Sequence, residues 1–173
     1  MKNRTLIAGL FGMAILLIVA CAGPEKKIAN TMPSDSLKTA VATSLDAFVV
    51  SMMTSMPDTS AIFPLIQSYL DANPAVYGSA FALEPVIQGS DTIRYAPDMY
   101  RTKDGYITTY IEKAHDYSKD DWYSVPVNTK KGFWSEPYFD AGGGEAQMIT
   151  YGVPLILNDS LIVGVITADL EIK

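Results

Sequence analysis

Cysteine and histidine are almost missing from this chain: Cys21 and His115 are the single examples of each among 173 residues. A lone cysteine excludes an intramolecular disulfide and a cysteine-built zinc site, so stability must come from an ordinary hydrophobic core. A lone histidine, beside Asp116 in a loop-like stretch and with no serine nucleophile motif, forms no triad, and it is expected to be solvated. The glycine run Gly142-Gly143-Gly144 lacks the lysine and the following helix of a phosphate loop. Internal repeats and low-complexity tracts are absent as well. With no metal cluster, nucleophile–base pair or cofactor fingerprint in the sequence, no enzymatic activity, no cofactor and no metal are expected. Positive charge is also short, at 13 Lys and Arg against 19 Asp and Glu. That balance argues against nucleic acid or anionic lipid as a partner and would welcome a cationic ligand.

Long hydrophobic runs are scarce, with one exception at the start. Lys2 and Arg4 precede the uncharged run Thr5 to Ala20, the charged and apolar regions of a secretory signal. As a helix, those sixteen residues reach only about 24 Å, short of the roughly 30 Å hydrocarbon core of a bilayer. The run ends in Ile18-Val19-Ala20-Cys21, which resembles the bacterial lipobox, with isoleucine where leucine is usual. The resemblance implies a signal peptide over 1–20 and Cys21 as the lipidated residue, so that the mature chain is anchored to a membrane and faces the periplasm or the cell exterior. Removing 1–20 leaves 11 basic and 19 acidic residues and a formal charge of −8. The 153 remaining residues suffice for one domain.

Residues 21–35 are polar, carry Pro24 and Pro33 and show no apolar period, so they read as a tether. The domain proper is expected over 36–173. Ser34, Asp35 or Ser36 can cap a helix whose apolar side runs Leu37, Val41, Leu45, Phe48, Val49, Met52, Met53 and Met56, stopped by Pro57. Its methionines are expected as core filler. A second helix is predicted over Ser60 to Ala72, ending at Asn73-Pro74. Short β-prone runs follow: Val76 to Leu83, Thr92 to Tyr100, Tyr106 to Ile111, Phe133 to Phe139, Gln147 to Leu157 and Leu161 to Leu170. The last two are joined by Asn158-Asp159-Ser160 and should form a hairpin. Helices first, then a largely antiparallel sheet, predict an α+β fold. The chain stops at Lys173 soon after the last run, with no transmitter, kinase or phosphatase module expected.

The most informative stretch is Asp120 to Asp169. It contains Asp121-Trp122-Tyr123, then Trp134-Ser135-Glu136-Pro137-Tyr138-Phe139-Asp140, then Thr150-Tyr151-Gly152-Val153-Pro154 and Gly164-Val165-Ile166-Thr167-Ala168-Asp169. Tyr138 and Asp140 are two apart, so on a strand they point the same way. Aromatic faces attract a cation by about 0.5–2 kcal/mol each, and carboxylates give charge-assisted hydrogen bonds to an amine. An unpartnered Asp169 at the end of an apolar strand would be costly without a ligand, a backbone cap or water. Trp122 and Tyr138 also suit a core, and Asp140 also suits a turn before the glycines. Glu136 and Asp140 imply no glycosidase cleft.

In combination, these motifs resemble the Cache domain in its larger double-module form, found in bacterial chemoreceptors, sensor kinases and receptor-type serine/threonine phosphatases; the resemblance covers roughly 35 to 171. It implies a PAS-like fold, in which a long N-terminal helix leads into a curved antiparallel sheet with helices and loops over one face and a small ligand between them. It further implies that Trp122, Tyr123, Tyr138, Asp140 and Asp169 line the site, Asp169 taking the ligand's amino group. Amino-acid-binding members carry an arginine two residues before the tryptophan to hold the ligand carboxylate; Asp120 stands there in this sequence. Lys119 and Arg101 are candidate substitutes, and an amine, a polyamine or another small polar molecule becomes as good a ligand as an α-amino acid. The expected function is therefore extracytoplasmic sensing or binding of a small molecule, acting in signal transduction through a partner protein. The alternatives are the sensory head of a truncated membrane receptor and an interaction lipoprotein that does not bind a ligand.

Overall fold

The computed structural model describes residues 31–53 and 58–173. The expected signal segment, Cys21, Met56 and Pro57 lie outside the described residues. Helix α1, Asp35–Met52, is capped by Ser34, whose Oγ accepts from Leu37 N at 3.3 Å. Its buried residues Val41, Leu45, Val49 and Met52 recur every three or four positions and form one stripe. Ser34→Ala is expected to lower stability by about 0.5–1 kcal/mol, because one first-turn N–H loses its acceptor; the midpoint of urea unfolding reads this directly. Helix α2, Ile62–Ala72, follows a 3₁₀ turn at Thr59–Ala61 and ends at Asn73. Among the described residues no helix is long and apolar enough to cross a membrane.

The strands are β1 (Gly78–Leu83), β2 (Val86–Gln88), β3 (Asp91–Ile93), β4 (Pro97–Thr102), β5 (Gly105–Tyr110), β6 (Phe133–Trp134), β7 (Tyr138–Phe139), β8 (Gln147–Leu157) and β9 (Leu161–Glu171), with α3 (Asp121–Thr129) between β5 and β6. Seven of them form an antiparallel sheet in the order β5-β4-β1-β9-β8-β6, with β7 also paired to β8. The β8–β9 hairpin forms as expected: Asn158 and Asp159 adopt φ of 52° and 61°, a left-handed conformation that short polar side chains tolerate.

Three local expectations are corrected. The run Thr92 to Tyr100 is broken: Asp91–Ile93 pairs with β2 in a separate small hairpin, and β4 begins afresh at Pro97, whose missing N–H suits a strand start. The run Phe133 to Phe139 is split at Ser135-Glu136-Pro137 for the same reason. Helix α3 had no counterpart among the expected elements; Pro126 sits inside it, and its ring replaces a donor that the short helix does without.

Both faces of the sheet are covered. Helices α1 and α2 pack on one face, against Phe81, Met99, Ile149, Tyr151, Ile166, Ala168 and Leu170. The alternate residues Ala80, Asp98, Thr150, Thr167 and Asp169 face the other side, beneath α3 and its loops. The expectation of helices and loops over one face is thus refined: the long helix lies on the face opposite the cavity. Double coverage explains why Gly164 to Leu170 of β9 is buried throughout instead of alternating.

Candidate functional site

The second face encloses a cavity of about 350 Å³. Its floor is laid by strand positions of one parity: Ala80 on β1, Asp98 on β4, Thr150 on β8, and Thr167 and Asp169 on β9. Ala80, paired with Asp98 across β1 and β4, presents only a methyl group to the cavity. Trp122 and Tyr138 stand as walls, and His115, Asp120 and Asp140 form the rim. Arg94 fixes the loop that carries His115 and Asp120 through a two-pronged pair with Asp116, Nε to Oδ1 at 2.6 Å and Nη2 to Oδ2 at 2.7 Å.

Of the residues singled out in the sequence, Trp122, Tyr138, Asp140 and Asp169 line this cavity together. Tyr123 does not. Successive helical residues point about 100° apart, so with Trp122 turned to the cavity Tyr123 turns into the core. It packs edge-on against Tyr117 and donates from its hydroxyl to Glu84 Oε2 at 2.6 Å. Trp122 is itself 6 % exposed and stacks on Tyr117, so it is both core and wall. Asp140 likewise combines two roles, since its Oδ2 accepts from Gly144 N while it faces the cavity.

Thr150 is the residue directly opposite Asp169 on the neighbouring strand. Its Oγ1 donates its only proton to Asp169 Oδ1 at 2.7 Å. The hydroxyl of Tyr138, 2.8 Å from Thr150 Oγ1, is therefore the donor there. This relay orients Asp169 with its second oxygen toward Gly78, where a Cβ would lie 2.9 Å from Oδ2.

Two residues missed in the sequence matter. Asp98 is 5 % exposed, and its carboxylate has the Met99 backbone N–H as a partner but no ion pair among the described residues. The signal was a charged residue inside the otherwise apolar run Ala96 to Tyr100. His115 is exposed, as expected, and it also lies on the cavity rim with Nε2 2.6 Å from Asp120 Oδ2. The 3₁₀ turn at Ile111–Lys113 brings it there.

The two candidate replacements for the missing arginine lie elsewhere. Arg101 donates to Val76 O at 2.8 Å, to the Tyr106 hydroxyl at 2.9 Å and to Leu70 O, closing the C-terminal end of α2. Lys119 is exposed and reaches Asp116 Oδ2 at 3.4 Å. His115 is the one basic side chain on the cavity lining.

Acidity without compensation shifts the carboxyl groups upward. Burial, then the neighbouring Asp98, raises Asp169 well above the ordinary carboxylate range. Burial, then Asp140, raises Asp98 to about 7, and burial raises Asp140. A group raised on folding adds stability below its ordinary value near 3.8 and withdraws it as pH climbs through its raised value, about 7 for Asp98. The unliganded domain should therefore lose stability from pH 5 to pH 8, by up to about 1.4 kcal/mol per pH unit for each group while it titrates. Asp116, held at about 2 by the Ser118 hydroxyl and Arg94, acts only at lower pH and does not oppose this trend. Urea unfolding midpoints at pH 5.5 and 8 check it; a midpoint that rises with pH contradicts it.

The fold agrees with solved structures. The extracellular domain assigned to a histidine kinase, soHK1S-Z6, is 29% identical with a TM-score of 0.64, over 79% of this chain and 53% of that one. The ligand-binding domain of the Campylobacter jejuni chemoreceptor Tlp3, in complex with L-norvaline, is 15% identical with a TM-score of 0.60, over 79% of this chain and 51% of that one. A structure of a methyl-accepting chemotaxis protein is 19% identical with a TM-score of 0.56, over 79% and 60%. The chain thus spans about half the length of the first two. No curated protein matches it by sequence. Residues 62–173 match the model of the first PDC sensor domain of methyl-accepting chemotaxis protein-like proteins, and the chain belongs to that family of sensor domains.

Proposed function

We propose that this domain acts outside the cytoplasm as a binding module, without catalysis, for a small amine-bearing or other polar ligand. It is held to a membrane through Cys21 after removal of 1–20, with 21–35 as tether, and it signals by contact with a partner protein. Trp122, Tyr138, Asp140 and Asp169 serve as ligand contacts. The observation that carries the ligand class is the cavity lining: four aspartates, two aromatic walls and one basic group already engaged by Asp120. Tlp3 is a chemoreceptor whose solved complexes hold L-norvaline and L-valine. An α-amino acid brings a carboxylate, and this cavity offers no lysine or arginine to receive it. An amine brings only the charge that the aspartates lack.

A thermal-shift screen of amines, α-amino acids and carboxylic acids on the chain is the test. At one hundred times its Kd, a ligand adds about 2.7 kcal/mol of stability, a clear rise in melting temperature. Amines are expected to give the largest rise; a screen in which only carboxylic acids lacking an amine give one, or in which no compound does, overturns the reading.

A second reading is favoured by length. Because the matched structures are about twice as long, this domain also fits the sensory head of a larger receptor. An in-frame transmembrane segment adjoining the coding sequence would establish it.

A further inference from the structure

The carboxylates of the cavity are not gathered at one point. Among the described residues no three His, Cys, Asp or Glu side chains converge closely enough to share a metal ion. Instead they form two poles. Asp98 and Asp169 rise from the sheet floor, 5 % and 8 % exposed, on strands that flank β1 on either side. Asp140 and Asp120 stand at the rim, on the turn after β7 and at the start of α3. Most of the remaining lining is apolar, with Trp122, Tyr138, Ala80, Ile111 and Ala114, besides the hydroxyls of Thr150 and Thr167 on the floor.

A point cation satisfies one pole and leaves the other charged in a partly dehydrated space, which is costly. A guest with a positive charge at each end and methylenes between them meets both poles and lays its chain along the aromatic walls. We propose that the cavity takes a linear diamine, one ammonium against Asp98 and Asp169 on the floor and the other against Asp140 at the rim. The inference rests on the amine reading above and adds to it the second charge, its partner and the orientation of the chain.

The test is calorimetric titration of the full chain at pH 8 with 1,4-diaminobutane and, separately, 1-aminobutane. The diamine is expected to bind about tenfold or more tightly than the monoamine, the gain of one further charge-assisted contact. Asp140→Asn should bring the diamine to within about threefold of the monoamine, weakening the diamine more than the monoamine. The asparagine carbonyl can still accept from Gly144 N, so the turn is retained. Equal binding of the two compounds by the unmodified chain overturns the diamine assignment and leaves the amine reading standing. So does an Asp140→Asn chain that keeps the full preference. If neither compound binds, both fall.

Discussion

Replacing Asp169 with asparagine is expected to weaken amine binding about a hundredfold or more while making the unliganded domain more stable at pH 8. The two effects share one cause. Asp169 is buried, and its carboxyl is raised well above the ordinary range by burial and by Asp98. Its ionised form is therefore held at a cost that only a cationic guest offsets. Removing one partner of a buried charged pair costs about 2–5 kcal/mol, and each 1.4 kcal/mol is a factor of ten in affinity. Asparagine keeps the oxygen that accepts from Thr150 Oγ1, so the relay through Tyr138 survives. The stability gain should shrink toward pH 5, because a carboxyl raised by burial takes up its proton earlier than an ordinary one as pH falls. Titration with 1-aminobutane and urea unfolding at the two pH values measure both parts. Unchanged affinity would remove Asp169 from the site; an equal loss of stability at both pH values would reduce it to a structural role.

The largest effect on stability is expected from Gly152→Ala. A Cβ built on Gly152 lies 2.1 Å from the Trp122 carbonyl oxygen and 3.2 Å from Pro126 Cγ. Strand β8 and helix α3 therefore meet backbone to backbone, and no side-chain rotation can relieve the overlap. The helix must move away from the sheet, at about 2–4 kcal/mol, at the upper end of the range for overpacked cores. For a chain of this size that lowers the melting temperature by roughly 2–4 °C per kcal/mol. Because α3 carries Trp122, the cavity wall moves with it, and ligand affinity should fall in the same variant. A melting temperature within about 1 °C of the unmodified chain would mean that α3 tolerates displacement, contrary to the contact geometry.

Legibility in the sequence followed the range of the interactions. The stripe Val41, Leu45, Val49, Met52 defines α1 because helix periodicity is a local property, and Ser34 caps it for the same reason. The β8–β9 hairpin was readable from two apolar runs around Asn158-Asp159-Ser160. The departure at Asp120 was visible too, and its consequence, a cavity without arginine or lysine, follows once Arg101 and Lys119 are placed. Tyr123 was misplaced because a motif names neighbours along the chain, whereas a helix turns neighbours to different sides. Asp98 was passed over although its charge interrupts the apolar run Ala96 to Tyr100, because the run alone does not say that this strand face meets a cavity.

By itself the sequence determined the α+β class, most element boundaries, the excess of negative charge and four of the side chains that meet in the cavity. Only the tertiary structure decided that Asp98 and Asp169 share a floor, because each pairs with β1 from a different side and register is a property of strands far apart in sequence. The same holds for the two poles of charge. Whether aspartates attract a guest or merely cap turns depends on what covers them, and that cover, α3 seated on Gly152, is set by packing and not by local pattern.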